Sequence, residues 1–291
     1  MRKLIAILLL MTMLIPAALA DEAADFALPM DHSAGHVADP AGYTESGYED
    51  ESLSITMDRI QEDGVTYNVA RVKIAHASQL RTGLEDPEKG KKSNYVHNIA
   101  ARYNAVLALS GDFFVKNKVG YVVRQGQVYR KKPTEARDML LIDSNGDFHV
   151  VYRSNAEDLQ ALLSRTDVTF PNIFNFGPVL VDKGEAVAIP EKYEFNLKRY
   201  EPRCAIGQVG PLEYLLVVAD GRSDTSTGAK GEQLASFMAS QGCITAYNLD
   251  GGDTALLWFG GDYYSRKTKR AQSDIIYFAT AVDAGLDGTE E

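Results

Sequence analysis

Four aspartates and two arginines of this 291-residue chain stand where short apolar runs give way to glycine or proline. Asp112 follows Leu109-Ser110-Gly111. Asp220 and Arg222 flank Gly221 after Val218-Ala219. Asp250 and Asp253 bracket Gly251-Gly252 after Asn248-Leu249, and Arg203 sits in Pro202-Arg203-Cys204. Paired carboxylates can move protons or face an oxocarbenium-like carbon during glycoside cleavage. A guanidinium offers a planar fork of donors suited to phosphate. A cluster holding both fits a sugar joined to a phosphate. Carboxylate oxygens also suit a divalent cation such as calcium, with Asp250 and Asp253 as the candidate ligands. Each Asp-Gly pair taken alone reads more readily as a turn, and only the three together put a shared site on equal terms.

The stretch Cys243–Gly261 shows what must position such groups. Ile244 to Tyr247 and Ala255 to Phe259 read as short strands around the loop Asn248 to Thr254. One reading is a plain hairpin, since Asp-Gly is a common hairpin turn. The other is a loop whose glycines admit a ligand close to the backbone. The remaining chain predicts mostly strands. Ser52 to Ile60 and Val65 to Ala75 alternate around a turn, and Asp138–Ile142 pairs with Phe148–Tyr152 around Asn145-Gly146. Helices are predicted from Ser93 to about Tyr103, after an Asn155 cap, and through Leu234, Phe237 and Met238 up to Gly242. His97 falls off the apolar stripe of its helix, which favours a partly exposed side chain over a ligand. The expected fold class is α+β: a single domain over residues 52–283, with mixed or antiparallel β-sheets and a few packed helices.

Residues 1–20 carry Arg2 and Lys3, an apolar stretch and Ala18-Leu19-Ala20, the pattern of a secretory signal peptide. A membrane anchor is the alternative, but the apolar run is shorter than the roughly 20 residues that span a bilayer. No later segment is apolar enough to span. Residues 21–51 read as a flexible N-terminal segment holding His32 and His36, and 284–291 as an acidic tail. The net charge of −10 argues against nucleic acid as a partner. Cys204 and Cys243 are the only cysteines. Export permits a disulfide between them, and two buried thiols fit as well.

Five blocks in order, Leu109-Ser110-Gly111-Asp112-Phe113-Phe114, Phe176-Gly177-Pro178-Val179-Leu180-Val181, Pro202-Arg203, Val218-Ala219-Asp220-Gly221-Arg222 and Asn248-Leu249-Asp250-Gly251-Gly252, resemble the phosphodiester glycosidase family over roughly residues 100–282. The resemblance implies a secreted hydrolase, exported by a bacterium, that releases a sugar from a phosphodiester-linked glycan, with an α-linked N-acetylhexosamine as the sugar. A cell-wall polymer or exopolysaccharide would be the substrate, and no cofactor is called for beyond the divalent cation, such as calcium, considered above. Asp250, Asp220 and Asp112 would then be catalytic. Arg203 and Arg222 would hold phosphate, with Asn248, Gly251, Gly252, Asp253, Thr254, Ser110, Gly111 and Gly177 around the substrate. Two positions depart from the family pattern: Ser110 stands where Asn is usual, and Asp253-Thr254 where Gly or Ser and then Ser are usual. An added carboxylate at 253 would repel a phosphate by roughly 1 to 4 kcal/mol at contact range. A non-catalytic glycan-binding module of the same fold is the alternative.

Overall fold

Period-two alternation builds the first long ribbon. In the computed structural model, which describes residues 26–286, Leu53–Glu62 and Val65–Ile74 pair antiparallel from Leu53 opposite Ile74 to Glu62 opposite Val65. Asp63 and Gly64 both take positive φ, as the tight primed hairpin turns require. The expected Asn-Gly hairpin also forms, Met139–Ile142 against Phe148–Val151. Its turn closes on Asp143, whose Oδ1 accepts from the amides of Asn145 and Asp147 at 2.9 and 3.0 Å.

Among the described residues these ribbons belong to three antiparallel sheets. The large sheet has nine strands, in the order Tyr43–Thr44, Gly47–Glu49, Leu53–Glu62, Val65–Ile74, Glu213–Ala219, Arg203–Gly210, Thr245–Leu249, Val179–Asp182 and Glu185–Ala186. The middle sheet runs Phe148–Val151, Met139–Ile142, Asn172–Phe174, Gly120–Arg124, Gln127–Lys132. The small sheet runs Asp262–Tyr263, Leu257–Phe259, Leu107–Ser110, Asp274–Phe278, Leu80–Leu84. The main core draws on all three, with Ile55, Leu109, Leu140, Phe174, Ile206, Leu216, Leu249 and Ile276 in one apolar cluster.

Three α-helices among the described residues cover outer faces. Gly231–Ser240 lays Leu234, Phe237 and Met238 on the back of the large sheet, where Phe237 stacks on Tyr67 at 3.8 Å. Burial of each such side chain contributes about 1.5–3 kcal/mol. Val96–Arg102 sets Val96, Ile99 and Ala100 against Ile275 and Tyr277 of the small sheet. Ala156–Leu163 covers the middle sheet through Leu159 and is capped by the Asn155 side chain, as its sequence predicts. The fold is therefore α+β, dominated by antiparallel strands.

Three features correct the sequence reading or decide between alternatives it leaves open. First, the stretch around Asp250 is not a hairpin. Thr245–Leu249 lies in the large sheet beside Arg203–Gly210, whereas Leu257–Phe259 lies in the small sheet beside Leu107–Ser110. Residues 250–256 therefore cross from one sheet to the other, with a single 3₁₀ turn at Gly252–Thr254.

Second, the sheet starts before Ser52, and the segment ahead of it is docked. Arg81, fully buried, donates to the carbonyls of Pro29, Asp31 and Ser33 at 2.8 to 3.1 Å. These local partnerships offset the low apolar content that made the segment read as flexible. Third, the two cysteines are buried free thiols. Cys204 packs into the main core and Cys243 into the cluster on the opposite face of the large sheet. Burial pushes the Cys243 thiol up to about 12. The expected signal peptide lies outside the described residues, as does the end of the acidic tail.

Candidate active site

Antiparallel pairing decides which strand ends meet. At one end of the large sheet, Arg203 is in register with Ala219 and Cys204 with Leu249. The carboxyl ends of two strands, leading to Asp220 and Asp250, therefore flank the start of the Arg203 strand. Val179 pairs with Tyr247 and brings Gly177-Pro178 to the same end. In the small sheet Ile275 pairs with Ser110, setting Asp274 beside Gly111. The crossing loop joins the two edges, and the Asp250 amide donates to the Gly111 carbonyl at 3.1 Å. Ser110-Gly111-Asp112, Asn248 to Thr254 and the Gly177 turn thus converge.

Arg124 is the centre of the buried part. It comes from the middle sheet and is fully enclosed. Its Nη2 lies 2.8 Å from Asp112 Oδ1 and its Nε donates to Asp274 Oδ2 at 2.7 Å. Nη1 donates to the carbonyls of Val123 and Ile173, and the guanidinium lies 3.9 Å over the Phe174 ring. Burial opposes the charge, but the two carboxylates outweigh it and raise the pKa of Arg124. Asp274 is pushed up to about 6, first by burial and then by Asp112, against the pull of Arg124. Gly111 has no room for a side chain here: a Cβ would run into the Asp274 carboxylate.

Asp250 lies at the outer side of this cluster. Burial pushes its carboxyl up to about 7. The Thr254 hydroxyl and Arg270 pull the other way, and Asp112 and Asp274 add to the rise. A carboxyl that titrates near neutrality can take or give a proton at working pH, which an ordinary aspartate cannot. Arg270 also lies 5.6 Å over the ring of Phe113. Phe113 takes φ +63° in the turn that follows Asp112, a costly conformation for an aromatic residue of the kind that gathers at functional sites.

Next to Asp250, Asn248 is buried and its Nδ2 donates to the Gly177 carbonyl at 2.8 Å. That bond fixes the amide, and Oδ1 is left buried without a protein partner, an acceptor suited to a ligand hydroxyl. Gly177 takes φ +70°, and a Cβ there would strike the Tyr193 hydroxyl. Tyr193 donates to the Phe176 carbonyl at 2.8 Å, and Phe195 stacks on Phe176 at 3.9 Å. The 190–201 stretch is thereby strapped beside the Gly177 turn.

The two expected phosphate ligands differ in availability. Arg203 is buried, donating to the carbonyls of Ala229, Asn196 and Arg199 at 2.8 to 3.0 Å. Burial lowers its pKa to about 10. Arg222, at φ +58°, is exposed and bridges Glu201 at 2.6 Å and Asp253 at 2.9 Å. Asp220 is tied to the loop after Gly260, accepting from the Arg266 amide at 3.1 Å. Gly251 and Gly252 lie against Pro202, whose carbonyl accepts from the Gly252 amide at 2.8 Å. Ser110 is buried, and its hydroxyl bonds the Thr254 carbonyl inside the fold. Thr254 in turn donates to the Gly251 carbonyl at 2.5 Å.

Asp112, Asp250, Asn248, Gly111 and Gly177 therefore surround one locus. Asp253, Arg222 and Glu201 form an adjoining exposed ridge, with Arg203 beneath it. The sequence reading lacks Arg124, Asp274 and Arg270 as site residues. Asp274 lacks the signature of the expected aspartates, because it precedes its apolar strand and has no glycine beside it. Among the described residues no group of three or more His, Cys, Asp or Glu could hold a metal ion, and the Asp253 carboxylate is already paired with Arg222. No helix among them is long and apolar enough to cross a membrane.

Comparison with known proteins bears on the fold and the family. An uncharacterized SPbeta prophage-derived protein of Bacillus subtilis, YomE, is 29% identical over 176 residues, covering 58% of this chain and 26% of its own length. The chain thus spans about a quarter of that relative. The catalytic domain of zebrafish N-acetylglucosamine-1-phosphodiester α-N-acetylglucosaminidase, solved as auto-inhibited by its pro-peptide, superposes with a TM-score of 0.63. It is 17% identical and covers 84% of this chain and 86% of its own. A hypothetical protein from Synechocystis gives 0.57 at 16% identity, covering 78% of this chain and 62% of its own. These likenesses show the fold. The phosphodiester glycosidase profile matches residues 103–279, a span that takes in the Asp112, Gly177, Arg203, Asp220 and Asp250 loops, and the chain belongs to that family.

Proposed function

We propose that this protein is an exported hydrolase that releases a sugar, an α-linked N-acetylhexosamine, from a phosphodiester-linked glycan. The observation that carries this reading is Asp250: a carboxyl with a pKa of about 7, beside the Arg124-centred carboxylate cluster and the unpartnered Asn248 Oδ1. In the reaction the anomeric C–O bond breaks and the phosphate oxygen keeps the electron pair. Water delivers hydroxide to the anomeric carbon, and its proton passes to Asp250 as general base. Phosphate is a good leaving group, so the main demand is to stabilise a cationic sugar and an anionic phosphate together. Asp112, held by Arg124, supplies negative potential near the sugar. Arg222 and Arg270 are the exposed guanidinium groups beside the locus suited to the phosphate. The added charge at Asp253 is offset only in part, because Arg222 pairs with both Glu201 and Asp253. Export rests on the signal-like residues 1–20.

The test incubates the purified protein with methyl N-acetylglucosaminyl phosphate and measures free sugar. Turnover by the wild type and its loss in Asp250→Asn support the reading. Absence of free sugar from the wild type at neutral pH overturns it.

A further inference from the structure

The loop that carries Arg270 begins on a different surface. The hydroxyl of Tyr263, near its start, lies 2.8 Å from His97 Nδ1. The His97 ring meets Tyr263 edge-on at 5.8 Å and lies parallel to Tyr95 at 5.7 Å. Tyr95 is 41% exposed, unusual for a large ring in this chain. The Lys267 ammonium lies 5.8 Å from the Tyr263 ring centre and pairs with Asp262 at 2.6 Å. Helix packing does not explain the shelf, because the helix beginning at Val96 buries Val96, Ile99 and Ala100 and leaves His97 outward.

This shelf is physically continuous with the candidate active site. Asn94 and Gln272 exchange backbone hydrogen bonds at 3.1 and 2.7 Å, so Tyr95 sits within about 15 Å of Arg270 along the chain path. Between them the loop is anchored to the site at two further points. The Thr268 hydroxyl bonds the Asp253 carbonyl, and Arg266 donates to the Gly221 carbonyl at 2.7 Å. Arg266, Lys267, Lys269 and Arg270 are all exposed, a cationic strip on a protein of net charge −10.

We propose that Tyr95, His97 and Tyr263, with Lys267 and Lys269, form a subsite for the part of the substrate beyond the scissile phosphate: an extended, negatively charged glycan. This rests on the hydrolase reading and narrows it to a polymeric substrate. Flat rings suit the C–H faces of sugars, and the exposed cations suit repeating phosphates or carboxylates. An anionic strand can run along the strip from the shelf to the catalytic locus, which a small substrate would not reach.

The experiment compares wild type, Tyr95→Ala and Lys267→Ser on two probes: methyl N-acetylglucosaminyl phosphate and a polymer of N-acetylhexosamine 1-phosphate repeats. Both substitutions are at surface positions and leave the core untouched. The expected result is a KM for the polymer raised roughly five- to tenfold by Tyr95→Ala, the size of one lost ring contact, with both constants for the methyl probe unchanged. Polymer binding is measured in parallel with Asp250→Asn alone and with Tyr95→Ala added. A fivefold weaker Kd in the second supports the subsite even if turnover is absent. Equal KM values for the polymer in all three proteins, or equal Kd values in the binding arm, overturn the subsite. Absence of methyl-probe turnover with a Tyr95-dependent Kd would instead count against the hydrolase reading alone.

Discussion

Asp250 couples activity to stability in a way that a single substitution can expose. Its carboxyl titrates at about 7 in the fold against 3.8 ordinarily. The folded protein therefore holds this proton more tightly than the unfolded chain does. The group favours folding below its ordinary pKa, and that contribution is lost as pH rises through the window from 3.8 to about 7. Three units correspond to about 4 kcal/mol in full, of which about 2.5 kcal/mol falls between pH values of about 5 and about 8.5. Asp250→Asn removes the titration while keeping the shape. Urea unfolding of wild type and variant at the two pH values should show the variant gaining about 2.5 kcal/mol relative to wild type on going to the alkaline condition. Activity should fall by roughly a thousandfold or more in the same variant, the cost of deleting a general base with its electrostatic role. A stability difference that is the same at both pH values would refute the assignment of Asp250 as a strained, near-neutral carboxyl, whatever the activity did.

Other outcomes follow from the surrounding contacts. Wild-type kcat/KM should rise with pH to a plateau with an apparent pKa near 7 if ionised Asp250 is the base; a flat profile between about pH 5 and about 9 would exclude it. Arg124→Met should cost about 3–5 kcal/mol in urea unfolding, because Asp112 and Asp274 would be left buried without their cation. A loss under about 1 kcal/mol would mean the cluster is not a tight ion-pair network. Arg222→Ala should change stability by less than about 1 kcal/mol, since its ion pairs are exposed, yet raise KM for a phosphodiester; an unchanged KM would remove it from phosphate binding. Reducing agent should leave Tm unchanged, and thiol reagent should modify Cys204 and Cys243 only after unfolding.

Local chemistry was readable where local rules decide it. The Asp63-Gly64 and Asn145-Gly146 hairpins, the Asn155 cap and the apolar stripes of the helices all follow from neighbouring residues. The strand character of Thr245–Leu249 and Leu257–Phe259 was equally plain, but their membership in different sheets was not, because an Asp-Gly loop looks the same whether the chain returns or moves on. Arg124 and Asp274 carry no local mark in the sequence for a related reason. Their meaning comes from a contact between residues 150 positions apart, and neither strand shows a period that marks the charge as special. Arg203 illustrates the converse. Its residue type suggested a phosphate ligand, yet its buried donors hold the carbonyls of Asn196, Arg199 and Ala229 in place.

The chain crossing at residues 250–256 has an effect beyond placing one carboxyl. Asp250 ends a strand of the large sheet, while Asp112 and Asp274 issue from the small one, so the spacing between them is a measure of how the two sheets sit against each other. Slippage of either layer would be felt at once as a misaligned acid pair. Heat inactivation should therefore track separation of the two sheets, and neither sheet could be exchanged for a foreign one without rebuilding the site.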